Sequence, residues 1–153
     1  MSEPRFSDFE RFADEVARLR GRMRALFAEV RAHAGLAEME LTVLTATVNA
    51  ASPPTVAQIG RSLGHPRQVV QRAANRLAEL GLVEFAENPD HKRASLIVAT
   101  TAGRALKAAD HARAQAITAD LLARIAEREF AETADRLGAI RTEIEAYLRE
   151  REA

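Results

Sequence analysis

The chain has 153 residues, of which 47% are hydrophobic and 29% charged, with only seven glycines and five prolines. This composition is typical of a globular, mainly helical protein, and we expect residues 1–153 to form a single domain. The lack of cysteine excludes disulfides and thiolate metal sites. No apolar run approaches the length of a membrane span, so we expect a soluble cytoplasmic protein.

The first 35 residues carry the pattern of one long helix. Ser7 followed by Glu10 is typical of a capping box, which predicts that the helix begins there. Apolar residues then recur from Phe9 to Val30 at alternating spacings of three and four, as in a helix buried against other helices. Gly35 is expected to end this helix.

A helix-turn-helix is predicted in the middle of the chain. A helix over residues 37–50 precedes the break at Ser52-Pro53-Pro54. A short helix over residues 56–63 follows, and Gly64 makes a turn before a longer helix over residues 66–80. Pro66 is expected at the first helical position of this second helix.

The pattern changes after the longer helix. Gly81 is expected to terminate it in a Schellman cap, in which Leu77 and Leu82 make contact. Residues 82–99 then predict a β-hairpin, because apolar side chains alternate with other residues in two short runs. The alternating residues are Val83 and Phe85 in the first strand and Leu96 and Val98 in the second.

Two further helices are predicted over residues 101–150. Thr100 or Thr101 caps the first, whose apolar positions extend to Ile125, and the second repeats apolar residues at helical spacing. Together with residues 5–35, these helices carry apolar stripes that little else in the chain could cover. We therefore expect a homodimer held by both ends of the chain, with residues 37–100 as a separate winged lobe.

The longer helix of the helix-turn-helix has a polar face suited to DNA. Residues 56–77 contain four arginines and no acid, although the net charge of the chain is zero. Gln and Asn can pair with adenine in the major groove, and Arg can pair with guanine. An ordinary solvated helix face is the alternative, but such faces usually mix Glu and Lys, a mixture missing here until Glu79. The expected DNA-contacting residues of this helix are Arg67, Gln68, Gln71, Arg72, Asn75 and Arg76. For the short helix before it, Gln58 and Arg61 are expected to reach phosphates.

The ordered motifs of the chain resemble the MarR family of transcriptional regulators. They are Thr55 to Gly64, Val70 to Leu77, Gly81-Leu82-Val83, Asn88-Pro89 through Lys92-Arg93, and Thr100 with Gly103. The resemblance implies a winged helix-turn-helix homodimer that binds a near-palindromic double-stranded operator, with Arg93 as the wing arginine beside Lys92. It further implies a repressor that a small, aromatic or anionic effector releases from DNA.

Two positions depart from the family pattern. His91 stands where the family usually has an acid two residues before the wing arginine. Either Asp90 substitutes for that acid, or the wing is held in another way. Ala57 stands where a capping residue is common, which predicts a weaker start for the short helix.

Other functions find little support in the sequence. An effector cleft could be lined by Phe27, Leu36, Met39 and Leu44, although these residues suit a plain core equally well. The four histidines are scattered, and no phosphate loop, nucleophile elbow or metalloprotease motif is present, so we expect no enzyme, metal or cofactor. The alternative to a regulator is a winged-helix dimer that serves as a protein–protein interaction module without ligand control.

Overall fold

The computed structural model of the protein describes residues 3–152, and the side chains of residues 6–151. The chain divides after Ala114 into two compact units. The helices in chain order are α1 (Glu3–Leu26), α2 (Ala28–Ala34), α3 (Glu38–Asn49), α4 (Val56–Leu63), α5 (Arg67–Glu79), α6 (Thr101–Leu122) and α7 (Glu127–Glu152). The strands β1 (Val83–Ala86) and β2 (Leu96–Ala99) lie between α5 and α6.

The N-terminal apolar repeat spans two helices, so the expectation of one continuous helix is wrong. Phe27 has φ −96° and ψ 14°, which interrupts the helix between α1 and α2. The Arg31 guanidinium donates to the carbonyl of Arg24 in the last turn of α1, where carbonyls lack a helical partner. Gly35, with φ 65°, ends α2 as predicted.

The predicted start of the first helix is also wrong. Helix α1 already begins at Glu3, so Ser7 lies inside it and does not cap it. Pro4 fits this earlier start, because a proline is tolerated in the first turn, where its missing N–H has no helical acceptor.

The apolar face of α1 is largely uncovered within the described chain. Five of its large side chains from Phe6 to Met23 are between 42% and 55% exposed, and Phe12 is half-buried. The five are Phe6, Phe9, Val16, Leu19 and Met23. Val30 in α2, by contrast, is buried. The repeat is therefore packed at its C-terminal end and open along most of α1.

The core of the first unit lies among α3, α4, α5 and the hairpin. Its buried side chains are Val43, Leu44, Val56, Ile59, Val70, Ala73, Ala74, Leu77, Val83 and Ile97. Burial of this apolar surface is the main force that holds the helix-turn-helix and the hairpin together.

Local caps fix where the two helices of the helix-turn-helix begin. The Thr55 hydroxyl accepts from the Gln58 N–H at 3.2 Å, and the Gln58 side chain accepts from the Thr55 N–H at 2.8 Å. This full capping box corrects the expected weak start of α4, because Ala57 lies inside the helix and is not its cap. Pro66 occupies the cap position before α5, one residue earlier than predicted.

The end of α5 is the predicted Schellman cap. The Leu82 N–H donates to the Leu77 carbonyl at 2.9 Å, and the Gly81 N–H donates to the Ala78 carbonyl at 3.0 Å. Gly81 has φ 70°, a conformation that glycine adopts without the steric cost a side chain would add.

The hairpin forms as predicted, but its second strand buries Ile97 and Ala99 instead of the alternating residues Leu96 and Val98. Val83 pairs with Ala99 in the antiparallel register, and paired residues share a face. Ile97 and Ala99 are therefore buried, whereas Leu96 and Val98 are only half-buried. The Ile97 N–H donates to the Pro54 carbonyl at 2.8 Å, which joins β2 to the segment before α4.

Thr100 caps α6, as one of the two predicted residues. Its hydroxyl accepts from the Gly103 N–H at 3.1 Å and donates to the Gly81 carbonyl at 2.7 Å. The spacing of apolar residues placed Ile125 on this helix. Helix α6 ends at Leu122, however, so Ile125 lies in the turn before α7.

Candidate nucleic-acid interface

Helix α5 presents a polar face to solvent opposite its buried face. Val70, Ala74 and Leu77 are fully buried, while the side chains of Gln68 and Arg72 on the other side are exposed. Leu80, the last residue of the predicted helix, is exposed, because α5 ends one residue earlier, at Glu79. The polar face therefore has the composition and direction that the sequence predicted.

Some polar side chains of α5 bind one another. The Gln71 amide donates to the Asn75 side-chain oxygen at 2.9 Å, and Arg76 forms a 3.0 Å ion pair with Glu79. The first contact orients both amides and leaves each with unused donors or acceptors. The second partly neutralises Arg76, which makes it less available to another charged partner.

The N-terminal half of the polar face is free of such contacts. Arg67, Gln68 and Arg72 show no side-chain hydrogen bond or ion pair within the described residues. Their donors and acceptors therefore remain available to a partner. Since α5 also has no acid in its first turn, this half of the helix carries uncompensated positive charge.

The wing tip is organised by Asn88. Its side-chain amide donates to the Ala94 carbonyl at 3.0 Å, and its side-chain oxygen accepts from the Asp90 N–H at 3.0 Å. Among the described residues Asp90 forms no ion pair with Arg93. Asp90 therefore does not substitute for the acid that His91 replaces, and the wing is held by the hydrogen bonds of Asn88 instead. Sequence reasoning missed this role of Asn88, although Asn before Pro-Asp is a known turn signal.

A recess of about 410 Å³ lies between α5 and the wing. Arg67, Gln71 and Asn75 line it from the helix, and Arg93 lines it from the wing. The structure thus brings the predicted wing arginine and the predicted recognition helix onto one surface. Lys92 is exposed beside Arg93 but does not line the recess.

A second recess, of about 440 Å³, lies where α4 faces the wing tip. Arg61 and His91 are among its lining residues. Arg61 is exposed and remains a candidate phosphate contact. Gln58 also lines the recess, and its side-chain oxygen closes the capping box with Thr55, so its amide N–H donors remain available to phosphate.

A third cavity, of about 760 Å³, lies on the other side of α4. Of the four residues predicted for an effector cleft, only Phe27 lines it. Leu44 is fully buried in the core, and Leu36 and Met39 pack against that core. The cavity is instead lined mainly by residues of α2, α3 and α4, both apolar and polar, with Lys107 and Asp110 of α6.

The winged helix-turn-helix of this chain matches a known family. A model of the MarR family covers residues 34–94, from the end of α2 through the wing tip. A MarR-family transcriptional regulator from Rhodococcus sp. RHA1 has a similar structure, with a TM-score of 0.74 and 22% identity, over 86% of this chain and 93% of that one. Residues 34–94 thus match the MarR family, and the chain has the fold of a MarR-family regulator.

Other similar proteins agree with this assignment of the fold. The transcriptional regulator PA3341 superposes on this chain with a TM-score of 0.76 at 27% identity, over 88% of this chain and 98% of that one. CouR from Rhodococcus jostii RHA1, whose structure is bound to p-coumaroyl-CoA, gives a TM-score of 0.74 at 22% identity, over 85% and 91%.

Curated sequence relatives come from mycobacteria. Three proteins described as uncharacterized, one from Mycobacterium bovis and two from Mycobacterium tuberculosis, are 37% identical over 97 residues. The match covers 63% of this chain and 66% of the length of each relative.

The described residues meet the requirements neither for a metal site of three or more ligands nor for a membrane-spanning helix. Within residues 3–152 no group of three or more His, Asp or Glu side chains could hold a metal ion. His33, one of the four scattered histidines, has its ring Nδ1 2.8 Å from the Glu29 carbonyl oxygen. None of the described helices is both long and apolar enough to cross a bilayer.

Among the described residues, Asp110 is the most unusual ionisable one. It is only 1% exposed, and neither carboxylate oxygen accepts a hydrogen bond from the described residues. Its closest charge is the Arg113 guanidinium, 3.7 Å from Oδ1. Burial raises the pKa of Asp110 above its ordinary value of 3.8, although Lys107, Arg113 and His33 lower it.

We expect Asp110→Asn to raise the free energy of unfolding at neutral pH by about 1–2 kcal/mol, because a buried carboxylate without a donor is costly. In wild type the unfolded chain loses this proton before the folded chain does. Stability therefore falls as pH rises from 3.8 through the raised pKa, and the gain from the substitution vanishes below 3.8. Urea unfolding across this pH range measures the difference. Asp120→Asn, at an exposed position of α6, is the control, and an equal gain in both variants would contradict the explanation.

Proposed function

We propose that this chain is a sequence-specific, double-stranded-DNA-binding repressor that acts as a homodimer and is released by a small molecule. The observation that carries this proposal is the single surface formed by the uncompensated face of α5 and the wing arginine. The recess between them places Arg67, Gln71 and Asn75 beside Arg93. This role would place the chain in the cytoplasm together with the DNA.

Helix α5 is suited to the major groove. Arg72 and Gln68 lie at the centre of its exposed face and have free donors, so they are the best candidates to read bases. The hydrogen bond between Gln71 and Asn75 fixes the direction of their amides, which favours paired contacts with adenine. Outside α5, Arg61 and Lys92 would contact phosphates and set the register.

A second copy of the chain is the expected partner of the exposed apolar faces. In the first unit, α1 exposes five large apolar side chains from Phe6 to Met23. In the second unit, α7 also exposes large apolar residues: Phe130, Ile140, Ile144, Tyr147 and Leu148. Since exposed apolar area of this kind marks interaction surfaces, both ends of the chain would contribute to the dimer.

Effector control is supported by the cavity beside α4. It is lined by Ile59 and Leu63 of α4, and α4 packs on α5 in the core. A ligand that shifts α4 would therefore also shift α5 and its DNA-facing side chains. CouR, which has a similar fold, is bound to p-coumaroyl-CoA in its structure, which supports a ligand-responsive role.

Footprinting of the DNA upstream of the gene tests this function. A dimer with two α5 helices predicts a protected, near-palindromic site whose half-sites lie about 10 base pairs apart, or a multiple of that. No protected segment, or protection without symmetry, would argue against a dimeric DNA-binding regulator. It would favour the alternative of a protein–protein interaction module.

Arg93→Ala is expected to weaken DNA binding to a similar extent for specific and unrelated sequences, because a wing arginine mainly contacts the sugar-phosphate backbone. The slope of log affinity against log salt should fall by about one for each protomer that loses a phosphate contact. Fluorescence anisotropy at several salt concentrations measures both effects. Arg22→Ala, at an exposed arginine of α1, is the matched control. An unchanged slope in Arg93→Ala would remove the wing from the interface.

A further inference from the structure

The side chain of Asp110 lacks what a buried carboxylate needs. The residue is only 1% exposed to solvent, yet neither carboxylate oxygen accepts a hydrogen bond from the described residues. The ion pair with Arg113 is long, at 3.7 Å, and Arg113 does not line the cavity. Buried polar groups in proteins are nearly always satisfied, so this exception calls for a donor from outside the chain.

The cavity next to Asp110 has room for that donor. Its volume of about 760 Å³ is within the usual range of small-molecule sites. Phe27, Val30, Leu41 and Ile59 give it apolar walls suited to a ring or an alkyl chain. Asp110 thus provides an acceptor at one position of a mainly apolar site.

Most of the other charged groups lining the cavity already have partners. The Arg31 guanidinium donates to the Arg24 carbonyl, and Glu38 forms a 2.8 Å ion pair with Arg24. Lys107 is the remaining lining cation. The charges that face a ligand are therefore chiefly those of Asp110 and Lys107.

We propose that the effector of this chain is a small molecule with an apolar body and a protonated amine, which binds the carboxylate of Asp110. This inference rests on the proposed effector control and names the class of ligand. An ammonium group supplies up to three donors and the opposite charge, so it satisfies both oxygens of Asp110. An anionic ligand held by Lys107 would leave Asp110 without a donor and would add a repulsive charge nearby.

Three ligands with the same carbon frame separate the possibilities: phenethylamine, 2-phenylethanol and phenylacetate. Isothermal titration of the full-length protein should show binding of the amine and weaker or no binding of the alcohol and the acid. Asp110→Asn should lower the affinity for the amine by about ten- to a hundredfold, the effect of losing one charge-assisted hydrogen bond. Lys107→Ala should leave amine binding intact, whereas a site for anions would lose it. Asp120→Asn is the matched control.

A second readout follows from the proton on Asp110. Burial raises the pKa of its carboxyl, while Lys107, Arg113 and His33 oppose the rise; among the cavity residues, Arg31 and Glu38 are the other charged groups facing it. A bound ammonium favours the ionised form, so amine binding at mildly acidic pH should release a proton. The measured heat should then depend on the ionisation enthalpy of the buffer, and this dependence should vanish in Asp110→Asn.

Several results would overturn this inference without touching DNA binding. They are an acid or alcohol that binds as tightly as the amine, equal amine affinity in Asp110→Asn, or no amine binding at millimolar concentration. If Asp110→Asn changes the oligomeric state and the wild type does not bind the amine, Asp110 serves a subunit interface instead. Operator affinity of the ligand-free protein, measured in parallel, separates these outcomes from failure of the proposed function.

Discussion

Gly103→Ala is expected to lower the free energy of unfolding by about 3 kcal/mol, because the added methyl group has no room. A Cβ at this position would lie 2.0 Å from the Leu82 carbonyl oxygen and 3.3 Å from Leu44 Cδ1. The Leu82 carbonyl cannot easily move, since it also accepts from the Thr100 N–H at 3.1 Å. The clash is therefore with fixed backbone and with the core.

Urea unfolding of Gly103→Ala and of a matched helical glycine variant measures this effect. Gly21 lies in α1 with nothing within 4 Å of an added Cβ, so Gly21→Ala should be neutral or stabilising by about 0.5–1 kcal/mol. Equal midpoints for the two variants would show that α6 does not approach Leu82 as closely as described.

The contact at Gly103 also has a functional side. Thr100 bonds to the carbonyl of Gly81, the residue that terminates α5, and caps the first turn of α6. Gly103 then holds α6 against Leu82. The same helix carries Asp110 into the cavity, so this joint connects the proposed effector site to the end of the proposed recognition helix.

Arg72→Ala is expected to weaken operator binding by about 1–3 kcal/mol, or roughly five- to 150-fold, if this residue reads a base. Arg72 lies at the centre of the exposed face of α5 and has no internal partner among the described residues. Its guanidinium is therefore free to form a paired contact with guanine. Arg76, which pairs with Glu79, should give a smaller loss when replaced by alanine.

Fluorescence anisotropy with operator duplexes measures the loss, and Arg22→Ala is the control for removing one exposed arginine. A base-reading role also predicts relaxed specificity, so substituted operators should lose less affinity for Arg72→Ala than for wild type. Unchanged affinity in Arg72→Ala would remove the centre of the proposed surface.

The elements that depend on local sequence were predicted well. The cap at Gly81 is made within six residues, from Leu77 to Leu82, and so its pattern is visible in the sequence. The two faces of α5 follow from helical geometry, and their composition was read correctly from Arg67 to Leu77. The capping box at Thr55 is equally local, and it was missed only because the capping residue was expected at position 57, inside the helix.

Features set by distant contacts could not be predicted. All four residues of β2 are apolar, so its buried face was decided by pairing with β1 and not by alternation. The break at Phe27 lies within an unbroken apolar repeat and has no proline or glycine to mark it. Asp110 reads as an ordinary polar helix position, and only the tertiary structure shows that it is buried beside a cavity.

The central claim, sequence-selective recognition of DNA, is tested most directly by comparing two duplexes of equal length and composition. One carries the DNA upstream of the gene and the other a shuffled version of it, and both are titrated with the full chain at physiological salt. The account predicts an affinity at least about a thousandfold higher for the upstream DNA. Equal affinities, or no binding to either duplex, would contradict it.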